Sequence, residues 1–281
     1  TTDDATTDAS ESDTSDTTGE PESPELPIPT AACPEIIDGE VTFAPPGLDK
    51  ERTVRIWIDE DAAAEADGPV VFYWHGTGSS PQEAQYGLSP AGVAAITAAG
   101  GAVIAPIHDP DAGTFPWFLV LDANREDDLI LADEVLACLQ EQHGVDARRI
   151  HVAGMSAGGL QTTQMSFRRS GYIASAASYS GGLIVESVPD QDPDNPFSAM
   201  IFHGGASDQV VVEFQQTSEL YFDVLAARGS FAFLCDHGMG HTVPQAGLPS
   251  VWTFLSDHPF GTYPSPYEGG LPSGFYDVCG L

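Results

Sequence analysis

The sequence predicts a single α/β domain with a mostly parallel central sheet, helices on both faces and an antiparallel hairpin at its N-terminal edge. Strand-like and helix-like patterns alternate along most of the 281 residues, the order that builds a parallel sheet through right-handed crossovers. Two early segments, 41–43 and 52–58, instead alternate apolar and polar residues, as antiparallel strands do. A hydrophobic content of 42% is enough for one sizeable core.

The remaining elements follow from the same patterns. The run Pro69–Trp74 is continuously apolar, as expected for a strand buried on both faces. The run Asp127–Gln142 repeats leucine and valine at helical spacing. Further strands are predicted at 101–106, from Arg149 onward, and at 174–179, 199–203 and 231–235, and further helices at 91–99, 160–169, 211–227 and 251–256. Residues 181–196 show no helical pattern and are predicted to form a loop.

Residues 1–29 are predicted to be a disordered acidic linker that precedes a folded domain over 30–281. They contain nine carboxylates, no basic residue and few apolar side chains. Such a segment buries too little apolar area to offset the entropy of ordering it. Because the chain starts at Thr1 rather than at methionine, we expect that a leader has been removed and that the protein is secreted or tethered to the cell surface.

The formal charge of −33 arises from 42 acidic and 9 basic residues. A field of this sign repels nucleic acids and anionic membranes, so neither is expected as a partner. No apolar run reaches the ~18 residues of a membrane-spanning helix, so no transmembrane segment is predicted. We expect a monomer.

Four cysteines in a chain that is predicted to be exported favour disulfides over buried thiols. The sequence allows three pairings among Cys33, Cys138, Cys235 and Cys279 and does not choose between them. It contains no C-x-x-C pair, which argues against a zinc ribbon or a thioredoxin-like redox site.

Three aspartates, Asp190, Asp192 and Asp194, recur at a spacing of two within the predicted loop. A calcium site is one interpretation, because Ca²⁺ prefers carboxylate oxygens. The loop lacks the central glycine and the final glutamate of an EF-hand loop, so a solvated acidic loop is expected instead. The sequence therefore predicts no metal site.

Residues 154–158 read Gly-Met-Ser-Ala-Gly and lie between a strand pattern and a helix pattern. G-x-S-x-G in that context is typical of a tight turn that exposes a serine nucleophile, here Ser156. Glycines on both sides would let the neighbouring backbones approach closely. The Ala157 N–H would lie at a helix N-terminus, where a developing oxyanion is stabilised. A glycine-rich turn without chemistry is the alternative.

A serine nucleophile needs a base and a residue that orients the base. Asp208 and His241 follow the last two predicted strands, so both are expected at the carboxyl edge of the sheet, beside Ser156. Asp208 would fix the tautomer of His241, whose other ring nitrogen would accept the Ser156 proton. His237 is the rival base on the same loop, and the neighbouring glycines give His241 more freedom to turn inward.

A second oxyanion donor is expected in the turn that follows the strand 69–74. The sequence there is His75-Gly76-Thr77-Gly78, and the two glycines would expose the Thr77 N–H. We therefore assign the N–H groups of Thr77 and Ala157 to an oxyanion hole. A plain glycine-rich turn is the alternative.

These segments together resemble the polyhydroxybutyrate depolymerase and feruloyl esterase branch of the α/β-hydrolase superfamily. The matching segments, in chain order, are 75–78, 154–159, 203–208 and 238–244, and the resemblance extends over about 43–259. It implies a secreted serine esterase without a metal or organic cofactor, with Ser156, Asp208 and His241 at the triad positions. A serine peptidase of the same fold is one alternative, and a non-catalytic binding module on a surface tether is the other.

The loop 107–124 is expected to open at the same edge of the sheet as the nucleophile. It carries Phe115, Trp117 and Phe118, which we assign, with Met155, to an apolar substrate pocket. The alternative is that these rings only anchor the loop. An aromatic wall favours a small or moderate ester, such as a hydroxyalkanoate oligomer or a feruloyl or acetyl carbohydrate ester, over a long-chain lipid.

Overall fold

One nine-stranded sheet organises the protein, whose computed structural model describes residues 23–184, 191–192 and 195–281. The strands are β1 (Gly39–Phe43), β2 (Arg52–Ile58), β3 (Val70–Trp74), β4 (Ala102–Pro106), β5 (Ile150–Met155), β6 (Ser175–Tyr179), β7 (Ser198–His203), β8 (Ala232–Asp236) and β9 (Cys279–Gly280). Their order is β1-β2-β4-β3-β5-β6-β7-β8-β9. Strands β3 to β8 are mutually parallel, whereas β1–β2, β2–β4 and β8–β9 are antiparallel pairs. The predicted α/β architecture is confirmed.

Helices cover both faces of this sheet. The helices of the described residues are α1 (Glu60–Ala63), α2 (Glu83–Gly87), α3 (Pro90–Ala98), α4 (Asp127–His143), α5 (Ala157–Arg168), α6 (Phe214–Ala227) and α7 (Leu248–Asp257). Helices α4, α5 and α6 share one apolar core with strand residues such as Phe72 and Val152. Helices α2, α3 and α7 share the opposite core with residues such as Val71 and Met200.

The central strands are apolar on both faces because helices pack against both. All five residues of β3 are fully buried. Val70, Phe72 and Trp74 belong to one core, and Val71 and Tyr73 belong to the other, which is the two-residue alternation of a strand. Because β3 and β5 to β8 are parallel, their carboxyl ends meet at one edge of the sheet, where the loops that follow them lie.

Several elements differ from the sequence pattern, in their bounds or because they are too short to be predicted. Helix α6 begins three residues after the predicted start, because the preceding backbone forms a local turn in which the Val210 N–H donates to the Val212 carbonyl. Helix α2 has five residues, too few for a helical period to be recognised. Strand β9 has two residues, and its pairing with β8 includes the Cys235–Cys279 disulfide.

Two disulfides are formed, Cys33–Cys138 and Cys235–Cys279, which resolves the pairing that the sequence left open. The first joins the N-terminal segment to α4. Glu134 of that helix also accepts hydrogen bonds from the backbone N–H groups of Thr30 and Ala31, at 2.9 and 3.0 Å.

Of the predicted linker, residues 1–22 lie outside the described residues. Within the described part, Leu26 already packs against the core that contains α4. The boundary between linker and domain stays a prediction. None of the described helices is both long and apolar enough to cross a membrane.

Candidate active site

Ser156 occupies a sharp turn between β5 and α5. Its φ of 59° and ψ of −122° place a non-glycine residue in a region that side chains rarely adopt. A Cβ atom at Gly158 would lie 1.8 Å from the Trp74 carbonyl oxygen, and one at Gly154 would lie 2.5 Å from the Gly158 carbonyl oxygen. Both positions therefore require glycine, and the close approach is what turns the Ser156 side chain out of the sheet.

The structure brings the three predicted triad residues into one chain of hydrogen bonds. His241 Nε2 lies 2.9 Å from Ser156 Oγ, and His241 Nδ1 lies 2.7 Å from Asp208 Oδ1. Because an ionised carboxylate only accepts, Nδ1 carries the proton and Nε2 is free to accept from the serine hydroxyl. The His241 side chain is 22% exposed, whereas that of Asp208 is fully buried.

Asp208 is held in its ionised form by its surroundings. Its second oxygen, Oδ2, accepts from Ser180 Oγ at 2.7 Å and from the Gly204 N–H at 2.9 Å. Burial acts to raise the pKa of this carboxyl, but the hydrogen bonds from His241, Gly204 and Ser180 outweigh burial and leave the pKa below its ordinary value. At neutral pH a buried negative charge therefore faces the histidine.

The loop that carries Asp208 and the loop that carries His241 pack closely against each other. The Gly240 N–H donates to the Gly204 carbonyl at 3.0 Å. A Cβ atom on Gly204 would lie only 2.0 Å from the Gly240 carbonyl oxygen. On the other side, the Phe214 ring stacks on the His241 ring with centroids 4.7 Å apart and planes 25° apart. The imidazole is thus fixed by a hydrogen bond at each nitrogen and by a ring against its face.

His237, the rival base, lies away from this chain of hydrogen bonds. It is buried, and its Nδ1 accepts the Met239 N–H at 3.3 Å. Burial lowers its pKa. The structure therefore places His241, and not His237, beside Ser156.

The predicted oxyanion turn lies against the nucleophile. The Ser79 N–H donates to the Gly76 carbonyl at 3.1 Å, and Gly78 has a φ of +76° at the third position, where a type II turn requires a positive φ. A Cβ atom at Gly76 would lie 3.3 Å from Ser156 Cβ. Within the described chain, the Thr77 N–H has no hydrogen-bond partner.

Ala157 is the other residue assigned to the oxyanion hole. It is the first residue of α5, and its N–H likewise has no hydrogen-bond partner in the described part of the chain. An unpaired N–H at a helix N-terminus is a donor for an anion. Ala157 directly follows Ser156, and Thr77 follows Gly76, which lies against Ser156 Cβ; their role as an oxyanion hole stays a prediction.

His75 shapes this turn rather than taking part in the chain of hydrogen bonds. Its ring is fully buried, and burial lowers its pKa to about 4. Its Nδ1–H donates to the Gly76 carbonyl at 2.9 Å, so Nε2 accepts from His108 Nδ1 at 3.3 Å. His75 is therefore neutral at physiological pH.

The aromatic residues of the loop 107–124 are largely buried. Trp117 is fully buried, and its indole N–H donates to the His75 carbonyl at 2.8 Å. Phe118 is 4% exposed, and the Arg125 guanidinium lies 3.6 Å from the centre of its ring. Phe115 is half-buried against the core that contains α4, and Met155 is 8% exposed. This placement favours the anchoring alternative, and contact of these side chains with a substrate stays a prediction.

Sequence reasoning missed three side chains that contact the site: Ser180, Phe214 and Glu83. Ser180 follows β6 at the carboxyl edge, a position that offered a usable signal. Phe214 and Glu83 begin helices whose starts the pattern did not locate. Glu83 Oε1 accepts the Gly76 N–H at 3.0 Å and the Tyr73 hydroxyl at 3.3 Å.

Exposed apolar side chains lie on the loops that follow β7 and β8 and on α2, close in sequence to the site residues. Val210 and Val211 follow Asp208 and are 64% and 76% exposed. Met239, two residues before His241, is 55% exposed, and Tyr86 of α2 is 47% exposed. These exposed side chains lie on the loops that carry Asp208 and His241 and on the short helix that begins at Glu83.

No group of three or more histidine, cysteine, aspartate or glutamate side chains in the described residues is arranged to hold a metal ion. Asp190 and Asp194 lie outside the described residues. The calcium alternative for that loop therefore stays untested.

No protein-family model matches the sequence, and no curated protein matches it. Solved structures do share its fold. The protein named pOPH, in its native structure, is 18% identical, with a TM-score of 0.66 over 87% of this chain and 99% of its own. The protein named sOPH is 19% identical, with a TM-score of 0.69 over 91% and 97%. A CE1 ferulic acid esterase, AmCE1/Fae1A from Anaeromyces mucronatus, solved in complex with ferulic acid, is 16% identical, with a TM-score of 0.56 over 78% and 89%.

Identities this low carry the fold and not the activity. The TM-scores of 0.66 and 0.69 over 87% and 91% of this chain show that the fold is shared. The chain therefore has the α/β-hydrolase fold.

Proposed function

We propose that this protein is a serine carboxylic ester hydrolase that acts outside the cytoplasm through Ser156, His241 and Asp208. The observation that carries the proposal is the continuous hydrogen-bonded chain from Asp208 through His241 to Ser156 on a strained turn. A backbone strain of this kind persists only where the surrounding structure enforces it, and such strain clusters at reactive sites. A Gly-rich turn without chemistry would need neither the strain nor the aligned histidine.

Acylation follows from the geometry. Ser156 Oγ attacks the ester carbonyl carbon while His241 Nε2 takes the hydroxyl proton. The electron pair of the carbonyl moves onto its oxygen, which the Thr77 and Ala157 N–H groups stabilise. When this intermediate collapses, the C–O bond to the alcohol breaks, and His241 gives its proton to the departing alkoxide. The products of this half-reaction are the free alcohol and an acyl group on Ser156.

Deacylation repeats these steps with water. His241 takes a proton from a water molecule, whose oxygen attacks the acyl carbon. The bond between the acyl carbon and Ser156 Oγ then breaks, and Oγ regains its proton from His241. The carboxylic acid is released in this step. Asp208 stays ionised throughout and stabilises the protonated imidazole in both halves. No step requires a metal or an organic cofactor.

The substrate class is proposed from the surroundings of Ser156. Exposed apolar side chains, Val211 and Met239 among them, lie on the loops that carry the acid and the base. They suit a small or oligomeric ester with an apolar acyl part, such as a hydroxyalkanoate oligomer or polyester, or a feruloyl or acetyl carbohydrate ester. A ferulic acid esterase among the structural neighbours supports the second of these. The two disulfides support an oxidising, extracytoplasmic location.

Covalent labelling tests the proposal directly. A fluorophosphonate should form one adduct on Ser156, detected by mass spectrometry of the peptide, and Ser156→Ala should prevent it while folding is retained. Ser80→Ala is the control, because Ser80 is an exposed serine close to the same turn whose side chain bonds to Gln82 rather than to the site. A wild-type protein that is folded but does not react at Ser156 would show that the site is not a hydrolase centre.

An ester panel then identifies the substrate. We expect turnover of methyl ferulate, acetylated xylan or a hydroxybutyrate oligomer, and a rate that falls along p-nitrophenyl esters as the acyl chain lengthens. Preference for the longest acyl chain, or cleavage of peptide amides at a rate similar to that of esters, would contradict the proposed substrate class.

A further inference from the structure

A carboxyl group outside the Ser156–His241–Asp208 chain lies beside the nucleophile. Glu83 is the first residue of α2, seven residues after Gly76. From the position that a Cβ atom on Gly76 would take, Glu83 Oε2 is 3.6 Å away and Ser156 Cβ is 3.3 Å away. The carboxyl group and the nucleophile therefore both lie close to the same glycine.

The position of Gly76 leaves little room for a side chain, but a glycine makes the turn that contains it less rigid. Any side chain at this position would crowd Ser156 Cβ and the Met155 carbonyl oxygen, each 3.3 Å from the added Cβ. Glycine also rotates freely about its backbone bonds. The direction of the following Thr77 N–H depends on those rotations, so the turn needs an external constraint to keep this donor pointing at Ser156.

Four hydrogen bonds supply constraints, one of them the bond from His75 Nδ1–H to the Gly76 carbonyl at 2.9 Å. Trp117 Nε1–H binds the His75 carbonyl at 2.8 Å, and the Ser79 N–H binds the Gly76 carbonyl at 3.1 Å. Only the bond to Glu83, at 3.0 Å, holds the Gly76 N–H itself. The Tyr73 hydroxyl, buried in the sheet, donates to the same Glu83 oxygen at 3.3 Å and so ties that oxygen to β3.

We propose that Glu83 is a positioning residue for ester hydrolysis, which fixes the Gly76 N–H and thereby aims the Thr77 N–H at the oxyanion. This inference rests on the proposed function. The carboxylate accepts hydrogen bonds from the turn and takes no part in the covalent steps. Its effect is therefore exerted on the transition state, through the geometry of one donor.

Burial raises the pKa of the Glu83 carboxyl, and hydrogen bonds from Ser79, Gly76 and Tyr73 oppose that rise. The hydrogen bonds that join Glu83 to the turn and to β3 therefore favour its charged, accepting form.

Two substitutions separate the hydrogen bond from the charge. Glu83→Gln keeps an oxygen that accepts the Gly76 N–H and removes the charge, whereas Glu83→Ala removes both. Gln85→Ala, an exposed position on the same short helix, is the matched control. The wild-type protein is first labelled with a fluorophosphonate, so that failure of the proposed function is recognised independently of Glu83.

For Glu83→Ala we expect kcat to fall about 10- to 100-fold with KM little changed, since a misplaced donor acts on the transition state. Inhibition by phenylboronic acid, which forms a tetrahedral adduct with Ser156 Oγ, should weaken by a similar factor. For Glu83→Gln we expect kcat and phenylboronic acid affinity within about threefold of wild type, because the Gly76 N–H keeps an acceptor.

A purely structural role for Glu83 predicts a different pattern. It would lower the thermal midpoint without a matched loss of phenylboronate affinity. Glu83→Ala with kcat equal to that of Gln85→Ala would overturn the proposal. If Glu83→Ala does not fold, Glu83→Gln decides: a large loss of kcat or of phenylboronate affinity would equally overturn it.

Discussion

Replacement of Asp208 by asparagine tests the chain of hydrogen bonds at its most constrained point. Asp208 Oδ2 accepts from the Gly204 N–H and from Ser180, while Oδ1 accepts from His241 Nδ1–H. Asparagine has only one oxygen, and the Gly204 N–H must face it because a backbone donor cannot turn away. The asparagine NH₂ group is then forced toward His241.

That orientation changes the tautomer of His241. Facing an NH₂ donor, Nδ1 must accept, so the ring proton moves to Nε2, the nitrogen 2.9 Å from Ser156 Oγ. A protonated Nε2 cannot take the serine proton. The buried negative charge that would stabilise the imidazolium is lost as well. We expect kcat/KM to fall about 10⁴-fold, which is a rise of about 5.4 kcal/mol in the activation barrier.

Hydrolysis of a p-nitrophenyl ester measures this loss, and the rate of fluorophosphonate labelling should fall with it. Asp223→Asn, at an exposed position on α6, is the control and should retain wild-type kcat/KM. Circular dichroism and the thermal midpoint establish that Asp208→Asn is folded. A folded Asp208→Asn protein within tenfold of wild-type kcat/KM would refute the argument that Gly204 dictates the tautomer.

Three further predictions concern stability and selectivity. Reduction of the protein should lower its free energy of unfolding by about 2–5 kcal/mol per disulfide, as measured by urea denaturation with and without reductant. A Cys235→Ala/Cys279→Ala variant should lose only the part of this free energy that belongs to the Cys235–Cys279 disulfide. Burial lowers the pKa of His151 to about 3, below the ordinary 6.5 of the unfolded chain, so His151 contributes stability that is complete above pH 6.5 and is lost as the pH falls toward 3. In His151→Gln the free energy of unfolding should therefore decline less steeply between pH 6 and 4, by up to about 1.4 kcal/mol per pH unit. An equal slope in the variant and the wild type would contradict this. Trp117→Ala should lower the free energy of unfolding by about 3–5 kcal/mol, as the loss of a buried aromatic side chain does, while the order of preference along the p-nitrophenyl ester series stays that of wild type; a changed order would place this ring in the substrate pocket after all.

The sequence predicted the sheet and the edge at which the site lies because both follow from short-range patterns. A continuous apolar run such as 69–74 is recognisable without its neighbours, and the carboxyl ends of parallel strands always meet at one edge. Ser156, Asp208 and His241 each follow a strand, so their convergence could be predicted even though 85 residues separate Ser156 from His241.

The side chains that hold the site in place could not be predicted in the same way. The bond between Ser180 and Asp208 and the stacking of Phe214 on His241 depend on how two loops pack, and no periodicity carries that information. The aromatic segment 115–118 was the opposite case. Its composition suggested an exposed wall, but the Trp117 N–H finds a buried carbonyl at His75, which lets the whole ring enter the core without an unpaired donor.

The way in which Ser156 and His241 are held in place agrees with the proposed chemistry. Ser156 is fixed between a strand and a helix, with its N–H bound to the Tyr179 carbonyl at 2.9 Å and its carbonyl bound by the Leu160 N–H at 2.9 Å. His241 lies instead on a loop in which Gly238 and Gly240 both have positive φ values, of 64° and 70°. The nucleophile must stay in one place, whereas the histidine must serve Ser156 Oγ and the leaving oxygen in turn. A serine held by two backbone hydrogen bonds and a histidine held by Asp208 and Phe214 beside Ser156 Oγ agree with both demands.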